Sequence, residues 1–296
     1  MAGLKRTLRL GLLVGGLALC LAPTIWSRFS YHLAADQIQL IRKQAETLDD
    51  HQIDEVLAKA QAWNENLAGH VQSSERDVFD LADTGQSFEV VNQPEFESLP
   101  AYDKQLCVLD HGVMGILHVP KIGITLPIYH GVEEEALSKG AGHLPSSSLP
   151  VGSPTGRVVL SAHRGLMSSE LFTRLDEMEI GDLFQIENPK QTMAYQVCDI
   201  EVILPEEVEK LAIVEGEDLV TLLTCTPYGI NDHRLLVTGR RVEWTEQVQE
   251  EIREPVIQKP SLREQLFKIW PWLMVDLVSV VLFVSFLSTK RKAKRK

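Results

Sequence analysis

The sequence has few of the features that mark several common protein classes. Its 296 residues include only four cysteines, scattered and without a CxxC pair, so neither a disulfide framework nor a cysteine-based zinc or redox site is indicated. The 29 basic residues are outnumbered by 41 acidic ones, and the net charge of −12 argues against a nucleic-acid binder that relies on a basic face. With 44% hydrophobic residues, the chain is too apolar to be disordered throughout.

Two apolar runs near the termini predict a membrane protein. Residues 10–26 are uncharged and follow three cations in residues 1–9, and residues 269–287 carry one charge and precede six cations in residues 290–296. No A-x-A cleavage site follows the first run, so we favour an uncleaved anchor over a secretory signal peptide. The positive-inside rule then places both termini in the cytoplasm and residues 28–266 outside the plasma membrane.

Between these runs, helical periodicity gives way to short strands. Ile53, Val56, Leu57, Ala60 and Leu67 recur at helical spacing, which predicts the second of two N-terminal helices packed on the main domain. Short strand-like segments follow, and their density predicts a β-barrel or sandwich with a few short helices. The predicted strands are Gly115–Val119, Arg157–Ala162, Asp182–Glu187, Met193–Leu204, Leu219–Thr224 and Leu235–Trp244, and the predicted short helices are Glu133–Lys139 and Ser169–Met178.

These patterns divide the chain into seven segments. The predicted boundaries are 1–27 for the N-terminal cations and anchor, 28–69 for the helical pair, 70–111 for a loop, 112–244 for the β domain, 245–268 for a linker, 269–287 for a transmembrane helix and 288–296 for a basic tail.

Cys225 lies at the end of a predicted strand, just before a loop that contains Pro227 and Gly229. If this strand and the one that begins at His233 form a hairpin, Cys225 and Arg234 lie at its facing ends. A guanidinium near a thiol favours the thiolate, although a single cysteine is more often a small buried hydrophobe. His233 should point to the opposite face from Arg234, in a structural or surface role.

A third candidate is His163, which ends the strand of VVLSAHRG. A cysteine, a histidine and an arginine at strand ends would supply acyl transfer with a nucleophile, a proton donor and acceptor, and a cation for the oxyanion. Spacing alone does not show that the three meet.

No cluster of metal ligands is indicated. Cys107 and Cys198 could pair, but we expect free buried thiols.

The segments TLLTC and TPYGINDHRLLVTGRR around Cys225, with the upstream SAHRG, resemble the signature blocks of sortases, and the TPYGIN-HRLLV continuation resembles class C. The resemblance covers about 112–242 and implies an eight-stranded sortase β-barrel. It implies that Cys225 is the nucleophile, His163 the general acid and base, and Arg234 the stabilising cation. The flanking membrane segments also suit class C.

The resemblance further implies a substrate class. Such an enzyme cleaves an LPxTG-like signal through a thioester, without a cofactor, and class C members pass the acyl group to a pilin lysine. Residues 250–268 hold no LPxTG-type pentapeptide, so the chain itself does not look like a substrate. Two alternatives stay open: a housekeeping-type sortase that uses a cell-wall precursor amine, and a non-catalytic membrane-tethered scaffold for pilus assembly.

Four further residues are candidates for the same site. Many class C enzymes carry a lid with an Asp-Pro-aromatic motif, for which Asp77-Val78-Phe79 is the nearest match, with Val in place of Pro. Asp77 is predicted to contact Arg234 and Phe79 to cover Cys225, and an ordinary polar loop is the alternative. Thr224 and Ser161 are candidates for the substrate groove.

Overall fold

The computed structural model describes residues 37–71, 102–107, 109, 112–165 and 170–253, together with Gly16. Apart from Gly16, these residues fall within one compact unit, Ser27–Ile257. The helices are α1 (37–45), α2 (Asp50–Val71), α3 (Glu134–Leu137) and α4 (Glu246–Arg253). The strands are β1 (Val113–Val119), β2 (Ile124–His130), β3 (Ala141–His143), β4 (Gly156–Ser161), β5 (Leu183–Glu187), β6 (Thr192–Ile203), β7 (Asp218–Thr226) and β8 (His233–Val242).

The eight strands form a closed barrel in the order β1-β2-β3-β4-β7-β8-β6-β5. Strand β4 pairs in parallel with β7, and β7 pairs in antiparallel with β8. Closure leaves no free sheet edge, which explains how a domain of short strands remains stable. It also makes β4, β7 and β8 three adjacent strands, and these carry or precede the candidate residues.

The main core fills the barrel and continues under α2. Side chains from alternate strand positions, such as Leu160 on β4 and Leu222 on β7, are fully buried inside. Helix α2 covers this core with a helical stripe of buried side chains that includes Ile53, Leu57 and Trp63. The predicted helical stripe is therefore found in α2, with Trp63 as an additional member.

A second apolar cluster lies on the other face of the same strands. Leu223 on β7 and Leu236 on β8 alternate with the interior positions and pack outside the barrel. Leu137 of α3 belongs to the same cluster, so α3 is fixed against this outer face. The full cluster comprises Val132, Leu137, Leu144, Val159, Ile203, Leu211, Leu223 and Leu236.

The structure confirms the eight-stranded, mainly β barrel and corrects several details. Strands β2 and β3 were missing from the prediction. The helix predicted over Ser169–Met178 was wrong for its described part, since only the 3-10 helix Leu175–Glu177 forms there. Helix α4 occupies part of the segment predicted as a linker.

Two cysteines outside the candidate site differ from expectation in their burial. Both Cys107 and Cys198 are free, as expected, but Cys107 is exposed and Cys198 is only partly buried.

The predicted membrane segments fall outside the described residues, Gly16 aside. Among the residues that are described, no helix is long and apolar enough to cross a membrane.

Candidate active site

Strands β7 and β8 form the predicted hairpin, and its register pairs Cys225 directly with Arg234. Because cross-strand partners project from the same face of a sheet, these two side chains share the outer face of the barrel. Leu223 and Leu236 form the preceding pair on that face, and both belong to the outer apolar cluster. Cys225 is partly buried and lies next to the end of the outer apolar cluster.

His163 follows the neighbouring strand β4, two residues beyond its end. Ser161, the last residue of β4, pairs in parallel with Leu223, and the Ala162 N–H continues the ladder by donating to the Leu223 carbonyl at 3.2 Å. His163 and Cys225 each lie two residues further along. Extending the register by these two residues brings His163, just beyond β4, level with the pair of Cys225 and Arg234.

The imidazole of His163 has a carboxylate neighbour from α3. Its Nε2 lies 3.0 Å from Glu134 Oε2. The His163 side chain is 32% exposed and that of Glu134 is 77% exposed, so this contact lies at the rim of the site. The backbone of His163 is also fixed, because its carbonyl accepts a hydrogen bond from the Phe172 N–H at 3.1 Å.

Arg234 is held over the β7–β8 loop. Its Nη1 donates to the carbonyls of Asn231 and His233, both at 3.1 Å. An arginine has five N–H donors, so these two bonds fix the guanidinium through one nitrogen only. His233 precedes it and contacts the Asp232 carboxylate, with 2.8 Å between His233 Nδ1 and Asp232 Oδ1.

These features match a known enzyme family. The sequence fits the sortase domain model over residues 117–242. It is similar to Sortase D of Bacillus subtilis, with 30% identity over 131 residues that cover 43% of this chain and 63% of that protein.

Solved structures give a longer match. A lid mutant of Streptococcus agalactiae Sortase C1 aligns with 38% identity and a TM-score of 0.59, covering 71% of this chain and 99% of that one. The chain belongs to the sortase family of cysteine transpeptidases. Streptococcus pneumoniae Sortase C, whose structure was described for insights into catalysis and pilin substrate specificity, aligns with 35% identity and a TM-score of 0.57, covering 71% of this chain and 98% of that one.

This sortase has a buried arginine that sequence reasoning missed. Arg164 follows His163, and its side chain is only 7% exposed. Its Nη1 donates to Thr226 Oγ1 at 2.8 Å, and its Nη2 lies 2.6 Å from Asp176 Oδ2. Arg164, the residue after His163, is therefore hydrogen-bonded to Thr226, the residue after Cys225. In a sequence, a charged residue just beyond a strand is expected to lie on the protein surface. The pattern therefore gave no sign that Arg164 is buried and bonded to Thr226.

Glu134 was missed for a different reason. The sequence predicted a short helix that begins at Glu133, and acidic residues stand at 133, 134 and 135. A run of three carboxylates on a predicted surface helix does not reveal which of them faces a histidine 29 residues away.

The two groove candidates lie in different environments. Ser161 shares the outer face with Leu223 and is buried. Thr224 is 1% exposed and donates to the Ala162 carbonyl at 2.8 Å. Strand alternation turns Thr224 away from the face of Cys225, so its hydroxyl ties β7 to the end of β4.

The loop after Cys225 closes over Gly165. Gly165 has a φ of +84°, and a Cβ at this position would lie 2.6 Å from the Tyr228 ring. Glycine is therefore required both by the backbone conformation and by the close approach of the ring. Tyr228 itself is 62% exposed.

Asp77 and Phe79, the predicted lid residues, lie outside the described residues. Within the part of the chain that is described, no group of His, Cys, Asp and Glu is arranged to hold a metal ion.

Proposed function

We propose that this sortase cleaves an LPxTG-like sorting signal through a thioester on Cys225 and transfers the acyl group to a pilin lysine, which polymerises pilus subunits. The observation that carries the proposal is the pairing of Cys225 with Arg234 on adjacent strands, with His163 two residues beyond the end of β4, the strand that pairs with β7. This arrangement provides a nucleophile, a proton carrier and a cation on one partly exposed face.

Each residue has a distinct role in the proposed reaction. The Cys225 thiolate attacks the carbonyl carbon of the scissile bond, and His163 protonates the leaving amine. Arg234 stabilises the oxyanion, and its loss should slow turnover by about 10²–10³-fold, or about 2.7–4 kcal/mol. The hydrogen bonds from Arg234 to the Asn231 and His233 carbonyls support this role, because a preorganised donor needs no rearrangement during the reaction.

Similarity to Streptococcus pneumoniae Sortase C, with its pilin substrates, supports the pilin lysine as acceptor. The chain spans 63% of the length of Sortase D, so that curated relative gives no comparable support for a whole-protein activity. Transfer to a cell-wall precursor amine would instead identify a housekeeping-type sortase. No cofactor takes part in the proposed chemistry.

The proposed cellular location rests on the sequence. The apolar runs at 10–26 and 269–287 would anchor the enzyme in the plasma membrane of a Gram-positive bacterium, with both termini in the cytoplasm. The catalytic domain would then face outward, where sorting signals and pilins are found.

A lid over the site forms part of the proposal. Asp77 would contact Arg234 and Phe79 would cover Cys225 in a closed state. The lid mutant of Streptococcus agalactiae Sortase C1 shows that a relative has such an element. Replacing both residues by alanine should accelerate alkylation of Cys225 by a thiol reagent, and an unchanged rate would remove the lid from the proposal.

The deciding experiment uses the full chain in detergent with an LPxTG peptide and two competing amines, a pilin lysine peptide and a cell-wall precursor peptide. We expect mass spectrometry to detect an acyl adduct on Cys225 and a product joined to the pilin lysine. Cys225→Ala should give neither species, whereas Cys198→Ala should give both. Cys198 is a suitable control because it is a free thiol on β6, where its Sγ contacts the Thr238 carbonyl at 3.4 Å.

The other outcomes are equally informative. Product on the precursor amine alone would identify a housekeeping sortase. Peptide binding without an adduct would favour the non-catalytic scaffold.

A further inference from the structure

The contact between Glu134 and His163 carries an inference about the proposed reaction. Glu134 Oε2 lies 3.0 Å from His163 Nε2, within hydrogen-bond distance. A carboxylate can only accept hydrogen bonds, so this contact is a hydrogen bond when Nε2 carries the proton. The neutral ring then has Nδ1 as its only basic nitrogen.

The carboxylate stands on a fixed element. Glu134 is the first residue of α3, whose Ala136 and Leu137 side chains are buried. Leu137 packs in the outer apolar cluster together with Val159 of β4 and Leu223 of β7. These are the strands that lead to His163 and Cys225, so the helix and the reactive residues are held by the same packing.

We propose that Glu134 is a positioning residue that holds His163 in its Nε2–H tautomer and leaves Nδ1 to exchange protons with the substrate amines. This role rests on the proposed transpeptidase function. Among the charged groups of the site, Arg164 is paired with Asp176 and Arg234 is bonded to the β7–β8 loop. Glu134 supplies the carboxylate that contacts the imidazole.

The proton balance of both steps follows from this assignment. In acylation, the C–S bond forms and the scissile C–N bond breaks, and the imidazolium Nδ1 proton passes to the leaving amine. In transfer, a neutral primary amine attacks the thioester, the C–N bond forms, and sulfur departs as the thiolate. The proton released by that amine returns to Nδ1. The Nε2 proton stays on its hydrogen bond to Glu134 throughout.

The test compares Glu134→Ala with Glu135→Ala in the full chain in detergent. Glu135 is a matched control because it is the next residue of α3 and pairs with Lys139. The first readout is the tautomer of His163, measured by ¹⁵N NMR of ¹⁵N-histidine-labelled protein in a Cys225→Ala background. The His163 signals are assigned by their loss in His163→Asn.

We expect Nε2–H to dominate with Glu134 intact and in the Glu135 control, and both tautomers to be populated in Glu134→Ala. With Cys225 intact, kcat should fall about three- to tenfold in Glu134→Ala, while KM for the sorting peptide stays unchanged. Glu134→Gln should retain the tautomer, because its carboxamide oxygen still accepts from Nε2–H.

An unchanged tautomer and an unchanged kcat in Glu134→Ala would overturn the positioning role while leaving the transpeptidase intact. Turnover that survives Cys225→Ala would instead overturn the proposed function itself. A kcat loss shared by Glu135→Ala would assign the effect to α3 as a whole and reject a specific role for Glu134.

Discussion

Two histidines at the ends of neighbouring strands have opposite environments. His143 ends β3 and is fully buried, with its Nδ1 2.9 Å from the Tyr102 hydroxyl and its Nε2 2.8 Å from the Ser148 carbonyl. His163 follows β4, is about one-third exposed and contacts Glu134 through one ring nitrogen.

Burial and hydrogen bonding keep the His143 imidazole neutral and prevent it from contacting a substrate. Burial lowers the pKa of His143 to about 4, because the charged imidazolium would lose its hydration. Both ring nitrogens of His143 have protein partners, which leaves neither for a substrate. A strand end therefore presents a histidine for chemistry only where neighbouring segments leave one ring nitrogen accessible.

Removing each imidazole in turn should have the largest consequences. His163→Asn should lower turnover by about 10²–10⁴-fold, because a general acid and base is lost, and should leave the midpoint of thermal unfolding unchanged. His143→Gln should lower the unfolding midpoint and leave kcat per folded molecule intact. Peptide transfer assays and thermal unfolding of the same samples measure both quantities. A large loss of kcat in His143→Gln would show that the two sites are coupled.

Burial of His143 should also make the stability of the protein depend on pH. The folded pKa of His143, about 4, lies below the ordinary value of 6.5, so between these values the unfolded chain binds a proton that the folded chain excludes. The free energy of unfolding should consequently fall as the pH drops from 7 to 4, with about 3 kcal/mol of that loss due to His143.

Denaturant unfolding at several pH values measures this contribution. His143→Gln has no titrating group at this position, so its stability should vary less with pH by that amount. Equal pH slopes for the two proteins would contradict a neutral buried His143.

The hairpin of β7 and β8 could be predicted from local pattern, because alternation and a Pro- and Gly-containing loop fix its register. The pairing of Cys225 with Arg234 follows directly from that register. Strand β2 was harder to find because it contains Pro127, and β3 because it has only three residues.

Contacts between residues that are far apart in the sequence could not be predicted from local patterns. The brace from Arg164 to Thr226 and the contact of Glu134 with His163 depend on which segments the closed barrel brings together. The loop predicted over 70–111 shows the same limit, since residues 102–107 within it are docked against the barrel through Tyr102.

The smallest expected effect concerns that docked segment. The Tyr102 hydroxyl accepts from the Gly131 N–H at 3.0 Å and lies 2.9 Å from His143 Nδ1, and its ring stacks on His143 with centroids 5.7 Å apart. Tyr102→Phe keeps the stacking but removes the hydroxyl that contacts the Gly131 N–H, His143 Nδ1 and, at 3.1 Å, the His143 carbonyl. The free energy of unfolding should fall by about 1–2 kcal/mol.

Tyr228→Phe provides the matched control, because Tyr228 is mostly exposed and its hydroxyl should contribute nothing measurable to stability. Denaturant unfolding of both variants measures the difference. Equal stabilities would mean that the ring of Tyr102, and not its hydroxyl, holds the segment over His143.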